Sequence, residues 1–446
     1  MKTLLIISLV IFLYICMVLK EYLTINLYFT LIIKRGIIVP DPFWWNLNDV
    51  LMGKHGLTHF FYSTKTNHNN SPLIPIRVMT QPILMMTEFE SIKYMLDNSP
   101  GLFGPGTLKF AFFEYFMNNN VGISVGQNWD IRRKFNDFIL SHKHPVHDNN
   151  LFINSMINII DNECKTLTDS SSCLSMKNFT PFSKTVTSRI VFGRTDFSVY
   201  KMFNRSSDLW NLAFPSIGPV NQNMLNYMEQ PSSEYCMMDL LRSYTDKNPD
   251  IDMYHQIPHW IFPMNGSLSI LLIKLIYFII CHSPSNQNTM ELFKEELDIV
   301  KLTTHKYLEW IVLECLRVNN PVVTFFREVL TSNTFTNSKG EIVTFNKGDQ
   351  LFVLTSPLIR DPQIFKEPSR FNPERWADPE LQKYNLMFGM GRQICPGADI
   401  IKFILKVCLY KLFHNNKFTV SDNPVNIDDV DDMINPYILN IDIVKT

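Results

Sequence analysis

A mainly α chain with small β-sheets is the fold class this sequence predicts, and three observations carry it. Apolar residues recur at helical spacing in Tyr307-Leu-Glu-Trp-Ile-Val-Leu-Glu-Cys-Leu-Arg317, and residues 398–413 form an apolar stretch long enough for a buried helix. Short apolar runs separated by Asn, Ser, Pro and Gly fill residues 57–87 and 318–354, which is how strands and turns alternate. A chain of 446 residues with 46% hydrophobic content and 34 phenylalanines has ample material for a large core. The formal charge of −1 gives no reason to expect a nucleic-acid partner. The 8 cysteines are scattered singly, without a paired framework or zinc-type spacing, which suits a reducing compartment.

Taken in order, residues 3–19 form an apolar run flanked by Lys2 and Lys20, and a second run, 22–33, ends at Lys34 and Arg35. At about 1.5 Å of rise per residue the first run can span a thin bilayer as a helix. No small-residue cleavage site follows, so residues 1–36 are expected to be an uncleaved single-pass anchor, and Lys34 and Arg35 place the remainder, 37–446, in the cytosol. Residues 57–87 are expected to form short strands around a loop at 66–72, followed by a helix at 88–97. Phe103, Phe110, Phe112, Phe113, Tyr115 and Phe116 crowd residues 101–121, a cluster that is ordinarily core. Residues 193–263 carry no usable pattern, Asn337-Ser-Lys-Gly340 marks a hairpin turn, and Lys347-Gly-Asp349 leads into an apolar strand at 351–354.

The chemistry is concentrated in Phe388-Gly-Met-Gly-Arg-Gln-Ile-Cys-Pro-Gly397. Gly389 and Gly391 suit a tight turn with positive φ, where a flat ring can approach the backbone. Pro396 suits the first turn of the apolar helix and biases Cys395 toward an extended conformation, so the cysteine is expected at the helix mouth. The positive end of the helix dipole there is expected to lower the thiol pKa and favour the metal-binding thiolate. Taken alone, a cysteine in an apolar stretch is also a small buried hydrophobe. Here it is accompanied by Phe388, which can pack over a ring, and Arg392, which can reach a carboxylate at the ring edge.

This arrangement resembles the haem-binding loop of the cytochrome P-450 superfamily, Phe-x-x-Gly-x-Arg-x-Cys-x-Gly, with four of its five fixed positions filled; Gln393 stands at the arginine position and Arg392 one residue before it. The resemblance implies haem b with Cys395 as axial thiolate ligand to the iron, and Phe388, Arg392 and Gly397 around it. It implies a cytochrome P-450 fold in which the haem lies between a central long helix and the Cys-loop helix, with 37–446 as one haem domain behind the N-terminal membrane anchor. Glu314 and Arg317 then match the family's Glu-x-x-Arg helix, and Arg375 in Phe371-Asn-Pro-Glu-Arg-Trp376 matches the arginine that completes a charge network behind the loop; Trp376 replaces the usual phenylalanine. Trp129 and Arg133 match the Trp-x-x-x-Arg helix that holds a haem propionate, and an arginine fork suits a carboxylate. Arg327 falls where relatives place another propionate partner, although the same residue can simply charge a strand edge. The aromatic residues 101–121 match the loop that roofs the substrate pocket, which implies an apolar ligand.

One departure stands out. Oxygen-activating members carry an acid or amide beside a threonine or serine on the central helix, to deliver protons to bound dioxygen. The best register here is Pro263-Met-Asn-Gly-Ser-Leu-Ser269, with Asn265, Ser267 or Ser269 as substitutes, and Pro263 is expected to resist a continuous helix. Three functions stay open. The first is a monooxygenase that inserts one oxygen atom from dioxygen into an apolar lipid, sterol or fatty-acid-like substrate, using electrons from an NADPH-dependent flavoprotein reductase. The second is a haem-thiolate isomerase or lyase acting on a peroxide, and the third a non-catalytic haem- and lipid-binding membrane protein. Membrane lipid is a further expected partner, and the endoplasmic reticulum, with the catalytic domain facing the cytosol, the expected location. Lys402, Lys406, Arg132 and Lys134 form either a basic docking face for the reductase or ordinary solvated charge.

Overall fold

The computed structural model describes residues 57–78, 81–107, 109–110, 119–140, 149–195, 222–245, 254–281, 286–322, 324–420 and 439–444. The anchor expected at residues 1–36 lies outside them, as do Phe112, Phe113, Tyr115 and Phe116 of the aromatic segment. The order is α1 (Leu57–Asn67), β1 (Leu73–Val78), β2 (Gln81–Met86), α2 (Phe89–Asp97), β3 (Phe103–Gly104), α3 (Gly126–Leu140), α4 (Asn149–Asp169), β4 (Cys173–Leu174) and α5 (Met176–Phe192). It continues with α6 (Gln222–Glu229), α7 (Met237–Thr245), α8 (Ile257–Cys281), α9 (Asn286–Leu292), α10 (Ile299–Thr304) and α11 (Lys306–Val318). Strands β5 (Thr324–Val329), β6 (Asn333–Thr336), β7 (Ile342–Phe345) and β8 (Gln350–Leu354) precede α12 (Thr355–Ile359), α13 (Pro379–Gln382), α14 (Ala398–Asn415), β9 (Lys417–Val420) and β10 (Ile441–Val444). Helices dominate, with small sheets beside them, as the sequence predicts.

The largest sheet has the order β1-β2-β8-β5-β3. Its parallel pairing of β2 with β8, Leu84 opposite Leu351, joins the amino-terminal strands to residues far along the chain. Strand β5 pairs antiparallel with β8, placing Arg327 opposite Leu351. The hairpin expected around Asn337 to Gly340 is present as β6 and β7, and the segment after Lys347-Gly-Asp349 is β8 followed by the short α12.

Helix α8 is the centre of the molecule. Leu268, Leu271, Leu272, Ile273, Leu275, Ile276, Tyr277, Phe278 and Ile279 are all buried, so it is apolar all round, the mark of a core helix. It is the one helix among the described residues long and apolar enough to cross a membrane, but 67% of that span is buried inside the fold. It packs against α5, α14 and α11. Buried Lys274 donates from Nζ to Asn319 Oδ1 at 2.7 Å, tying α8 to the end of α11; burial pushes its pKa down to about 8.

Two expectations are corrected. Residues 57–67 are helical rather than strand, because Phe60, Phe61 and Thr64 bury one face against the core and Tyr62 donates to the carbonyl of Pro357. Pro263 does not interrupt α8, which runs unbroken through it for 25 residues. Pro263 is exposed and near the helix start, so one backbone hydrogen bond is lost while the buried turns that follow hold the helix together.

Candidate active site

The segment around Cys395 folds as a closed loop. Cys395 N donates to Phe388 O at 2.8 Å, and Ala398 N donates back to Cys395 O at 3.2 Å as α14 begins, so the cysteine sits at the helix mouth as expected. Gly389 and Gly391 adopt positive φ, +76° and +66°. At Gly391 a second constraint applies: a Cβ would lie 2.4 Å from Leu96 O, so the loop touches the backbone at the end of α2 and only glycine fits. A Cβ on Gly389 would meet nothing nearer than 3.9 Å.

By area Cys395 is exposed, yet burial leads the causes that push its thiol above the ordinary range. Both hold for a sulfur that faces a recess walled by protein. The Gly397 amide, Arg133 and Lys109 pull the other way. The expected lowering is therefore corrected: desolvation outweighs the helix mouth and its neighbouring cations in the protein alone.

Glu314 and Arg317, both buried, sit on α11 and form a bidentate pair, Arg317 Nη2 to Oε1 at 2.9 Å and Nε to Oε2 at 3.0 Å. Arg375 Nε donates to Glu314 Oε1 at 2.9 Å, as does the Asn372 amide. Trp376 Nε1 donates to Oε2 at 3.0 Å, so the substitution of tryptophan for phenylalanine supplies a donor that the sequence reading missed. The remaining guanidinium hydrogens go to the carbonyls of Ile359, Lys366, Glu367 and Arg370. The cluster is thus closed: one carboxylate, two guanidiniums, each polar atom answered.

Around the loop, α3 brings Trp129 and Arg133 to the thiol side. Arg133 donates to the carbonyl of Ile394, next to the cysteine, and pairs with Asp137 at 2.8 Å. Trp129 is buried, with the Arg392 guanidinium over its ring at 5.1 Å; Arg392, largely exposed, pairs with Asp130 at 2.6 Å. Arg327 on β5 is buried, donates from Nη1 to Phe326 O at 2.8 Å, and leaves Nε without a partner; burial lowers its pKa to about 10.

Two groups on this wall were not read from the sequence. Lys109 lies in the segment after β3, and its charged neighbours are Arg327 and Cys395; burial, then Arg327, push its pKa down to about 7. His259 in the first turn of α8 is held near pKa 4 by burial and by Lys109, and its Nδ1 is buried without a partner. A lone cation inside the aromatic run of residues 101–121 was the available signal for Lys109.

Asn265, Ser267 and Ser269 all lie on α8. Ser269 is buried and donates to Gly266 O at 2.9 Å, within its own helix. The basic docking face is corrected in part. Lys406 is buried and donates to Thr303 O at 2.7 Å, and Lys402 pairs with Glu309 at 2.8 Å and Asp399 at 3.3 Å, so both stitch α14 to its neighbours. Arg132 donates to Ser124 Oγ at 2.7 Å, and Lys134 remains exposed.

Residues 287–437 match the cytochrome P450 family model. The chain is 35% identical over 130 residues to a probable cytochrome P450 9h1 of Drosophila melanogaster, 30% over 122 residues to ferruginol synthase of Salvia miltiorrhiza, and 23% over 235 residues to beta-amyrin 11-oxidase of Glycyrrhiza uralensis. These stretches cover 28%, 26% and 49% of this chain and 25%, 24% and 46% of those proteins. Fold, loop and relatives agree on the class: an oxidoreductase family that holds haem b through a cysteine thiolate. Over residues 287–437 the chain is similar to the cytochrome P450 superfamily, and it spans less than half the length of these relatives.

Proposed function

We propose that this protein is a haem-thiolate monooxygenase acting on an apolar, lipid-like substrate with electrons from a flavoprotein reductase. One observation carries the reading: the Cys395 thiol stands exposed by area at the mouth of α14, with Arg133 and Lys109 among its charged neighbours. An accessible thiol beside half-buried cations fits a flat, dianionic porphyrin, and the unpartnered Arg327 Nε fits a carboxylate at its edge. Bound haem would supply the oxygen-activating redox chemistry.

In this reading the chain's own residues do four things. Cys395 would hold the metal as a thiolate, and the Gly397 amide and α14 dipole stabilise the anion. Arg133, Trp129 and Arg327 would hold the propionates, while Arg392, paired with Asp130, would lie beside the same edge. The network of Glu314, Arg317, Arg375 and Trp376 holds the backbone behind the loop in one geometry. Asn265 and Ser269, four apart on one buried face of α8, would pass protons to dioxygen, with Ser267 on the opposite side of the helix. An anchor at residues 1–36 and a haem domain at 37–446 would place this chemistry at the cytosolic face of the endoplasmic reticulum.

Reduced protein under carbon monoxide is expected to give the red-shifted Soret band of thiolate ligation, and Cys395→Ser to lose it; a band typical of histidine ligation overturns the assignment. A second reading draws on one observation: the Ser269 hydroxyl is spent on its own helix backbone, which weakens proton delivery. That favours chemistry on a peroxide without dioxygen. Turnover of a lipid hydroperoxide without reductase supports this second reading, whereas turnover that requires NADPH, reductase and dioxygen supports the first.

A further inference from the structure

Lys109, half-buried, stands apart from the buried cations. Arg317 and Arg375 share Glu314, and Lys274 has Asn319, whereas no described residue gives Lys109 a hydrogen bond or an ion pair. A half-buried cation without a counter-charge among the described residues is disfavoured, so the open side of Lys109 suits an anion.

The place that such an anion would occupy is built. A Cβ placed on Gly122 would lie 3.3 Å from Asn120 Oδ1, which already accepts from the Gly122 amide, 3.5 Å from His259 Cε1 and 3.8 Å from Lys109 Nζ, so the imidazole and the ammonium both border Gly122. The walls are fixed by a buried amide network. Gln256 accepts from the Val121 amide at 3.0 Å and from Asn136 Nδ2 at 3.0 Å, and donates to Asn119 O at 2.8 Å. Asn120 reaches His255 O at 3.2 Å, and Trp260 donates to Asn136 Oδ1 at 2.7 Å. Residues 119–124 are thereby bolted to the start of α8 and to α3, which presets where His259 and Gly122 stand. His259 Nδ1 is buried and unpartnered, and Arg327 Nε, also unpartnered, belongs to the cation nearest Lys109 in charge terms.

We propose that Lys109 and His259, both bordering Gly122, form a carboxylate-receiving site on the wall of the Cys395 recess. Planar carboxylate oxygens match an ammonium and an imidazole N–H side by side, and the same chemistry is offered by a haem propionate or by the head of an amphipathic acid. The inference rests on the haem-cavity reading above and deepens it, because it names either an anchor absent from the sequence motifs or the polar end of the substrate. His259, uncharged at neutral pH, serves as a hydrogen-bonding partner rather than a second cation.

The test uses the full-length haem protein and its Lys109→Met variant, which is expected to fold because it removes an uncompensated half-buried charge. Haem transfer to apomyoglobin reports the propionate source. Spectral titration of the ferric protein with dodecanoic acid and with dodecanol reports the substrate source. Lys109→Met is expected either to hasten haem transfer about tenfold or to abolish an acid-over-alcohol preference of about tenfold, the scale of one charge-assisted hydrogen bond. Lys109→Arg, which keeps the cation, should restore the affected value to within about twofold of the wild type. If Lys109→Met changes neither haem transfer nor the acid preference while the wild type shows the thiolate band, this inference falls and the functional reading stands. A wild type without that band removes the functional reading itself.

Discussion

The cluster around Glu314 and the wall around Lys109 are both charged and both at least half-buried, and they differ in one respect. In the first, a single carboxylate receives two guanidiniums, an indole and a backbone amide, and the leftover donors find carbonyls. In the second, Lys109, Arg327 and His259 face one another with like charge or unpartnered nitrogen. A charged group answered from within the chain fixes a shape; one left unanswered among the described residues is a candidate place for a ligand.

Glu314→Gln is the largest perturbation of that contrast. It strands Arg317 and Arg375 without a counter-charge, and a loss of about 3–5 kcal/mol of stability, with failure to retain haem, is expected in denaturant titration and absorbance. If the variant is as stable as the wild type, the cluster is not the closed unit described here.

On the other side, His259 gives a pH signature. Its pKa is lowered from 6.5 to about 4. Between those values the unfolded chain binds a proton that the folded chain refuses, so stability falls as pH drops through this window and is unaffected above it. Relative to His259→Asn, wild-type protein should lose on the order of 2 kcal/mol between pH 6.5 and 4, a figure reduced for the partial exposure of the ring. Equal slopes in the two proteins would show that His259 is not held neutral by its surroundings.

Trp376→Phe should have the smallest effect. It restores the residue usual in the family but withdraws one donor from Glu314 Oε2, which keeps its bond from Arg317 Nε at 3.0 Å. A loss of about 1.5 kcal/mol is expected in urea denaturation. No loss would mean that the indole only fills space.

The Cys395 loop was legible because ligating a metal on a helix mouth demands fixed residue types within one contiguous stretch, and Gly389, Gly391 and Pro396 each answer a local backbone requirement. Glu314, Arg317 and Arg375 were legible for a related reason, since a buried charge tolerates few substitutes. Residues 57–67 were misread because Phe60, Phe61 and Tyr62 favour strands by composition, and tertiary burial decided otherwise. Lys109 and His259 escaped because nothing local in either segment demands the other; only the fold brings both against Gly122. The thiol pKa was misjudged for the same reason: the helix mouth is written in the sequence, but the depth of the recess is not.

The contact of Gly391 with the Leu96 carbonyl has a consequence for how the molecule can be divided. A polypeptide begun at residue 287 would carry the whole stretch that matches the family model and would still lack the ledge on which the sulfur-bearing turn is seated. The family match lies in the carboxyl-terminal third, whereas the footing for its chemistry is supplied from before residue 100.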